Sequence, residues 1–367
     1  MLADSNVALV DPNAPIFSAF RARKSAAIAS FLFLAILFSP VWLWYFIEPE
    51  DAYKSIQARM GNYNYQAEEI FAKNDPVDIL FLGSSTMWTS IDHKVFQKSW
   101  LDATGNKINS LTLGGNWRGE DALYLQLRDM LKNRPVKQVV FSIPNSASKR
   151  PHPAAKYIWN IKDDFHTFWS LPFKMKLQVY SENLLIAPRL LWTLASKPKD
   201  KMNDRNLNQN NGSLVYKRGF KAPGKKKHEK FESLINSTAN INIKAAVFSG
   251  VDTDYFKVIK SRKYNDFEAY FMNKIKMLCA EFNVELVYLK LPRPDKEKQI
   301  LYVRKPLFSP AIDVIGIPIE AMLPNKEQSY INAHFYNVTH PNQNGAKLIS
   351  QSLAPVLANY VEKKKKV

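Results

Sequence analysis

Short apolar runs and longer helical stripes alternate along much of the chain. The runs are nearly continuous, which predicts strands buried on both faces of a sheet; they are 78–82, 138–143 and 284–289. The stripes repeat at three- and four-residue spacing, which predicts helices; they are 119–133, 266–282 and 346–361. Strands that alternate with helices indicate an α/β fold built on a doubly wound parallel sheet.

Residues 25–47 form a longer apolar run without any charge, which is long enough to cross a bilayer as one helix. It exceeds the apolar core of a signal peptide and no small-residue cleavage site follows it, so we expect an uncleaved transmembrane anchor. Basic residues within 21–24 and acidic residues within 48–51 predict a cytoplasmic N-terminus. The rest of the chain is then expected on the periplasmic side of the inner or plasma membrane.

These patterns predict one anchored domain that is interrupted by a large insertion. The middle of the chain departs from the strand–helix rhythm, which indicates a helical and loop insertion. The predicted segments are 1–24 as the cytoplasmic N-terminus, 25–47 as the anchor, 48–75 as a stalk, 76–149 and 263–361 as the catalytic domain, 150–262 as the insertion, and 362–367 as a basic tail.

Two parts of the insertion leave alternatives open. The aromatic stretch 155–195 fits either a hydrophobic core or a flap lying on the membrane or against an integral-membrane partner. The basic stretch 197–230 predicts a long loop, either solvated or able to bind anionic headgroups or an acidic glycan. The net charge of +18 would suit nucleic acid, but the exported location and the lack of a nucleic-acid-binding fold exclude that partner.

The chain has a single cysteine, Cys279, so it forms no intramolecular disulfide and no cysteine-based zinc site. The sequence also contains no glycine-rich phosphate loop and no convincing cluster of metal ligands. We therefore expect a function that needs neither a metal nor a dissociable cofactor.

Polar residues suited to nucleophilic catalysis follow the first predicted strand and precede the last predicted helix. Gly83-Ser84-Ser85 comes directly after 78–82, where a tight turn projects a serine hydroxyl from the carboxyl edge of the sheet. His340 lies in Asn337-Val-Thr-His-Pro-Asn-Gln-Asn-Gly, just ahead of a helix. A hydroxyl nucleophile needs a base such as this within hydrogen-bond reach.

Two further residues are candidates for an oxyanion hole. Gly115 ends the apolar run Leu-Thr-Leu-Gly-Gly, and Asn145 ends Ser-Ile-Pro-Asn after another predicted strand. A glycine N–H and a side-chain amide, together with the N–H of the serine, are donors of the kind that stabilise an oxyanion.

The order of serine, glycine, asparagine and a late histidine resembles the SGNH, or GDSL-like, hydrolase superfamily over roughly 75–145 and 265–360. By block position Ser85 resembles the nucleophile, and Ser84 stands where many members have Asp. Gly115 and Asn145 match the second and third blocks. The resemblance implies a three-layer SGNH-like sandwich.

The sequence departs from the superfamily in its last block, where Asn337 replaces the usual aspartate. An amide can orient the imidazole but offers no charge to stabilise its protonated form. Three alternatives follow: a Ser85–His340 pair oriented by Asn337, a carboxylate supplied by Asp92 or Glu327, or an inert domain.

Within the superfamily the chain resembles the membrane-anchored acyltransferase and esterase group, which includes the teichoic-acid D-alanyl transfer protein and the alginate O-acetyltransferases. The resemblance implies acyl transfer to or from hydroxyls of a surface polysaccharide, with an acyl donor supplied through an integral-membrane partner. The alternative is a catalytically inactive subunit that binds a glycan or such a partner.

Overall fold

The structure is a computed structural model that divides the chain into two compact units. One comprises Met1–Glu48 and Asn160–Ala195, and the other comprises Pro49–Trp159 and Ser196–Val367. The second unit holds the β-sheet and is called the α/β unit below. The described residues are 16–57, 60–117, 119–143, 151–161, 165–196, 209–210, 213–214, 246–248, 266–292, 314–316, 334–335 and 340–365.

The described strands of the α/β unit lie between Val77 and Gly316. They are β1 (Val77–Ser84), β2 (Ser110–Gly115), β3 (Val136–Ser142), β4 (Gln209–Asn210), β5 (Ser213–Leu214), β6 (Ala246–Phe248), β7 (Glu285–Lys290) and β8 (Val314–Gly316).

The described α-helices belong to both units. They are α1 (Ile16–Leu37), α2 (Ser39–Trp42), α3 (Pro49–Lys54), α4 (Tyr63–Ala67), α5 (Ser85–Ser90), α6 (His93–Thr104), α7 (Glu120–Asn133), α8 (Ala155–Ile158), α9 (Phe165–Ser170), α10 (Phe173–Ser196), α11 (Asp266–Glu281) and α12 (Gln343–Lys365). A 3₁₀ turn follows α2 at Leu43–Phe46, and a π turn follows α4 at Glu68–Ala72.

The main sheet has the strand order β2-β1-β3-β7-β8-β6. Its first five members are parallel, and β6 pairs antiparallel to β8 at the edge. β4 and β5 form a separate antiparallel pair. Apart from that pair, the basic loop predicted over 197–230 lies outside the described residues.

Helices cover both faces of the sheet. On one face α6 packs against α12, and their buried residues share a hydrophobic core with Ile79 and Phe81 of β1. Leu80 and Leu82 point to the opposite face and are fully buried as well, where α7 packs against α11 and the sheet. Burial on both faces explains the continuous apolar runs and confirms the predicted parallel α/β fold.

The segment 48–75 is not a stalk, contrary to the sequence prediction. Its polar side chains have buried partners elsewhere in the α/β unit: Tyr53 donates a hydrogen bond to Asp129 Oδ2 at 2.9 Å, and Arg134 pairs with Glu69 at 2.6 Å. These contacts hold α3 and the π turn against α7 and the residue that follows it. In α4, Gln66 donates a hydrogen bond to the Gly114 carbonyl of β2 at 2.6 Å. At the other end of the unit, α12 continues through 362–365, which the sequence assigned to the basic tail.

The apolar segment 25–47 is broken rather than straight. Within the part of the chain that is described, no single helix has the length and apolar composition to cross a membrane; Arg23–Leu37 and Ser39–Phe46 meet both requirements only as a pair bent by 49°. Pro40 has no N–H to continue the helical hydrogen bonds, and Val41 N–H donates to the Phe38 carbonyl at 2.9 Å. The expectation of one spanning helix is therefore not confirmed.

Candidate active site

Ser85 stands at the junction between β1 and α5. β1 ends at Ser84, whose backbone is extended, and Ser85 is the first residue of the helix. The turn requires a glycine before the serines, because a Cβ on Gly83 would lie 2.3 Å from Ser142 Oγ and 2.7 Å from Met87 Cβ. The local sequence therefore brings the Ser85 hydroxyl to the carboxyl edge of the sheet, as predicted.

The strand order reverses at β1, next to Ser85. β1 has β2 on one side and β3 on the other, so the connections that leave these strands diverge next to Ser85. In open parallel sheets a crevice forms where the strand order reverses in this way, and ligands bind there. Ser84 pairs in register with Gly115, which lies at the same edge.

His340 is held by the turn that begins α12. The Asn342 side chain accepts hydrogen bonds from the N–H groups of Asn344 and Gly345 at 2.9 and 3.1 Å, which caps the helix. Gly345 allows close packing, because a Cβ there would lie 2.0 Å from the His334 carbonyl oxygen. The residues that follow His340 therefore position it by capping and close packing.

The structure brings the two predicted catalytic residues together. Ser85 Oγ and His340 Nε2 are hydrogen-bonded at 2.8 Å although they are 255 residues apart in the sequence. Burial lowers the pKa of His340 below its ordinary value of 6.5, so the imidazole is mainly neutral at pH 7. A neutral imidazole beside a serine hydroxyl is the arrangement that activates a serine nucleophile.

The predicted oxyanion-hole residues are only partly described. Gly115 is adjacent to the site through its pairing with Ser84, and a Cβ there would lie 3.0 Å from the Met60 carbonyl oxygen. The same carbonyl accepts a hydrogen bond from Asn116 N–H at 2.8 Å. Asn145 lies outside the described residues, so its role stays a prediction.

The third member of a triad also stays a prediction. Asn337 and Glu327 lie outside the described residues. Asp92 is the N-cap of α6, where its carboxylate accepts a hydrogen bond from Val95 N–H at 3.3 Å. That contact gives Asp92 a capping role at the start of a helix.

A polar cluster that the sequence reasoning missed supports the loop after Gly115. His152 Nε2 donates to the Asn116 carbonyl at 2.6 Å, and Asp121 accepts the His152 backbone N–H at 2.9 Å. Burial lowers the pKa of His152 and raises that of Asp121 to about 8. Beyond this cluster Trp117 has φ of 62° and is 55% exposed, a strained backbone for a bulky residue. The sequence did not predict this cluster because its residues are far apart along the chain.

His93 is a second histidine whose role the sequence did not predict, and that role is structural. His93 is fully buried between β2 side chains, with ring nitrogens 2.9 Å from Ser110 Oγ and 2.8 Å from Thr112 Oγ1. Burial lowers its pKa to about 3, so it stays neutral in the folded protein. No group of three or more potential metal ligands occurs within the described residues.

No protein-family model matches the chain, and no curated protein matches it.

Proposed function

We propose that this chain is a membrane-anchored serine acyltransferase or esterase that acts on acyl groups of a cell-surface polysaccharide. The observation that carries the proposal is the 2.8 Å hydrogen bond between Ser85 Oγ and His340 Nε2. Ser85 and His340, which two distant sequence motifs identified as nucleophile and base, meet at the carboxyl edge of a parallel sheet.

The proposed reaction proceeds through an acyl-enzyme. His340 removes the Ser85 hydroxyl proton as the oxygen attacks the ester carbonyl, and a tetrahedral oxyanion forms. The oxyanion collapses, the bond to the leaving oxygen breaks, and the protonated His340 returns the proton to the departing alcohol. Water or a sugar hydroxyl then loses its proton to His340 and attacks the acyl carbonyl. The bond to Ser85 Oγ breaks, and His340 returns the proton to that oxygen.

The oxyanion would be stabilised by the N–H groups of Ser85 and Gly115 and the side chain of Asn145, as the resemblance implies. Either Asn337 or a carboxylate then orients the imidazole of His340. An asparagine in that position would make the enzyme slower than one with aspartate, since it does not stabilise the protonated imidazole by charge.

We also propose that the chain has the detailed fold that the resemblance implies. Across the sheet the parallel strands have the order β2-β1-β3-β7-β8, so that the strand order reverses between β1 and β3. This order supports a doubly wound, SGNH-like three-layer sandwich. The proposed location rests on the apolar segment 25–47 and its flanking charges, with the α/β unit outside the cytoplasm. The polysaccharide substrate and the integral-membrane acyl donor rest on the sequence resemblance alone.

The proposal is tested by treating the full-length chain in detergent with a fluorophosphonate and mapping the modified peptide by mass spectrometry. We expect modification at Ser85 that is lost in Ser85→Ala and in His340→Ala. Ser84→Ala is the matched control, because it removes the neighbouring hydroxyl and should still be labelled.

The replacement of the usual aspartate by Asn337 favours a second candidate, an inactive subunit that binds a glycan or a membrane partner. If Ser85 stays unmodified while circular dichroism shows a folded chain, the enzymatic proposal fails and this candidate takes its place. If Ser85 is labelled, an O-acylated oligosaccharide distinguishes the two activities: an esterase releases the free acid, and a transferase passes the acyl group to added acceptor sugar.

A further inference from the structure

Helix α10 has apolar side chains on two opposite faces. One face is buried; it carries Val179, Ile186, Ala187 and Leu190. The opposite face is exposed, and its large apolar residues are each at least 60% accessible; they are Phe173, Leu177, Leu185 and Trp192. A helix that is apolar on opposite faces is typical of a protein interior or of contact with lipid.

The preceding helix continues this character. Phe165 and Trp169 of α9 stack with their ring centroids 5.9 Å apart, and both are more than half exposed. Lys176 Nζ lies 4.8 Å from the centre of the Trp169 ring. A single exposed aromatic residue is unremarkable, whereas a set of this size on one pair of helices marks an interaction surface.

Two side chains of α10 form hydrogen bonds with residues at the bend in the apolar segment 25–47. Because Val41 N–H donates to Phe38, the Leu37 carbonyl loses its helical donor, and the Tyr180 hydroxyl donates to it instead. Trp44 Nε1 donates to the buried Asn183 Oδ1 at 2.7 Å. A backbone carbonyl in a bilayer needs such a partner from within the protein, since no water is available.

The same unit has the residue types found where a protein meets lipid headgroups. Trp42 and Tyr45 are exposed at the end of the apolar segment, as Trp192 is on α10. Amphipathic aromatic rings of this kind concentrate at membrane–water interfaces. The polar residues of α10 include three basic side chains and one carboxylate, which suits the phosphates of lipid headgroups; they are Lys174, Lys176, Arg189 and Glu182.

We propose that α9 and α10 are a second membrane-contacting element, with the exposed stripe of α10 lying in the interfacial region of a phospholipid bilayer. The occupant of this surface is lipid because the stripe belongs to the same compact unit as the bent apolar pair. The inference rests on the proposed attachment through 25–47. It adds that the membrane contacts a segment of the insertion far away in sequence.

The test uses the full-length chain in phosphatidylcholine–phosphatidylglycerol vesicles, with an environment-sensitive fluorophore on one introduced cysteine. The probe positions are Leu185→Cys and Trp192→Cys on the stripe. Leu34→Cys in α1 is the positive control, and Lys98→Cys on the exposed side of α6 is the negative control. The native Cys279 is buried and its thiol pKa is raised to about 12, so it should not take up the label.

We expect spin-labelled lipids to quench the stripe probes as they quench the probe at position 34, while aqueous iodide quenches only the probe at position 98. If position 34 is lipid-quenched but positions 185 and 192 are open to iodide, the surface faces water and this inference is overturned. If the chain does not float with the vesicles at all, the proposed attachment fails, and this inference fails with it. Lipid quenching at all three apolar positions supports both.

Discussion

The contact between Ser85 and His340 makes a quantitative prediction about pH. A fluorophosphonate reacts with the serine hydroxyl when a neutral base accepts its proton, so the labelling rate follows the neutral fraction of His340. Burial lowers the pKa of this imidazole below 6.5. The protonated form therefore accumulates only at a lower pH than it would for an exposed histidine.

The lowered pKa of His340 sets an upper limit on how far the labelling rate falls at acidic pH. An imidazole with the ordinary pKa of about 6.5 is about 76% neutral at pH 7 and about 9% neutral at pH 5.5, which is a fall of about eightfold. A lower pKa makes the fall smaller. We therefore expect the Ser85 labelling rate of the full-length chain to fall by less than about eightfold over this range.

The assay is stopped-time labelling at each pH, with the modified peptide quantified by mass spectrometry and with the inherent hydrolysis of the reagent subtracted. His340→Ala should lower the rate at pH 7 by roughly 100-fold to 10,000-fold, the usual contribution of a general base. The residual labelling rate of His340→Ala should not show this fall at acidic pH. A steeper fall in the unmodified chain, or an unchanged rate in His340→Ala, would refute the assignment of His340 as the base.

Three further outcomes are expected. The pKa of His93 is about 3 in the folded chain. The unfolded chain binds the extra proton below pH 6.5, so stability is lost as the pH falls: urea unfolding at pH 5 should show about 2 kcal/mol less stability from this group than at pH 7.5, and His93→Asn should remove that part of the pH dependence. Gly345→Ala places a Cβ 2.0 Å from the His334 carbonyl oxygen and should abolish labelling of the serine, whereas Gly105→Ala, which has φ of 73° and open space, should cost about 1 kcal/mol of stability without slowing labelling of the folded chain. If Asn337 orients the imidazole, Asn337→Asp should raise the labelling rate at pH 7 by at least about tenfold, and an unchanged or lower rate would contradict that role.

The sequence by itself determined the local elements of the sheet. The runs at 78–82 and 284–289 correspond to β1 and β7, and the stripe at 119–133 corresponds to α7. These predictions succeed because burial on both faces leaves a continuous apolar signal within a few residues. The serine turn was also evident from the sequence, since Gly83-Ser84-Ser85 follows its strand directly, and one of the atoms that requires Gly83 is Cβ of Met87, four residues later.

Only the tertiary structure decided which distant residues meet. The order of the motifs led us to expect a Ser85–His340 pair. The 2.8 Å contact across 255 residues depends on the packing of the later part of the chain, including α12 against α6, and no local pattern encodes it. The expected stalk was wrong for the same reason, because the buried partners of Tyr53 and Glu69 lie on elements much later in the chain. A polar segment therefore looked solvated when it was packed.

The apolar segment illustrates the same division. The apolar composition of 25–47 was evident from the sequence. What composition did not show is that the Leu37 carbonyl receives its hydrogen bond from Tyr180, in a helix that follows more than a hundred residues later. Local periodicity reports how a segment is buried, whereas the identity of its partner depends on the three-dimensional path of the whole chain.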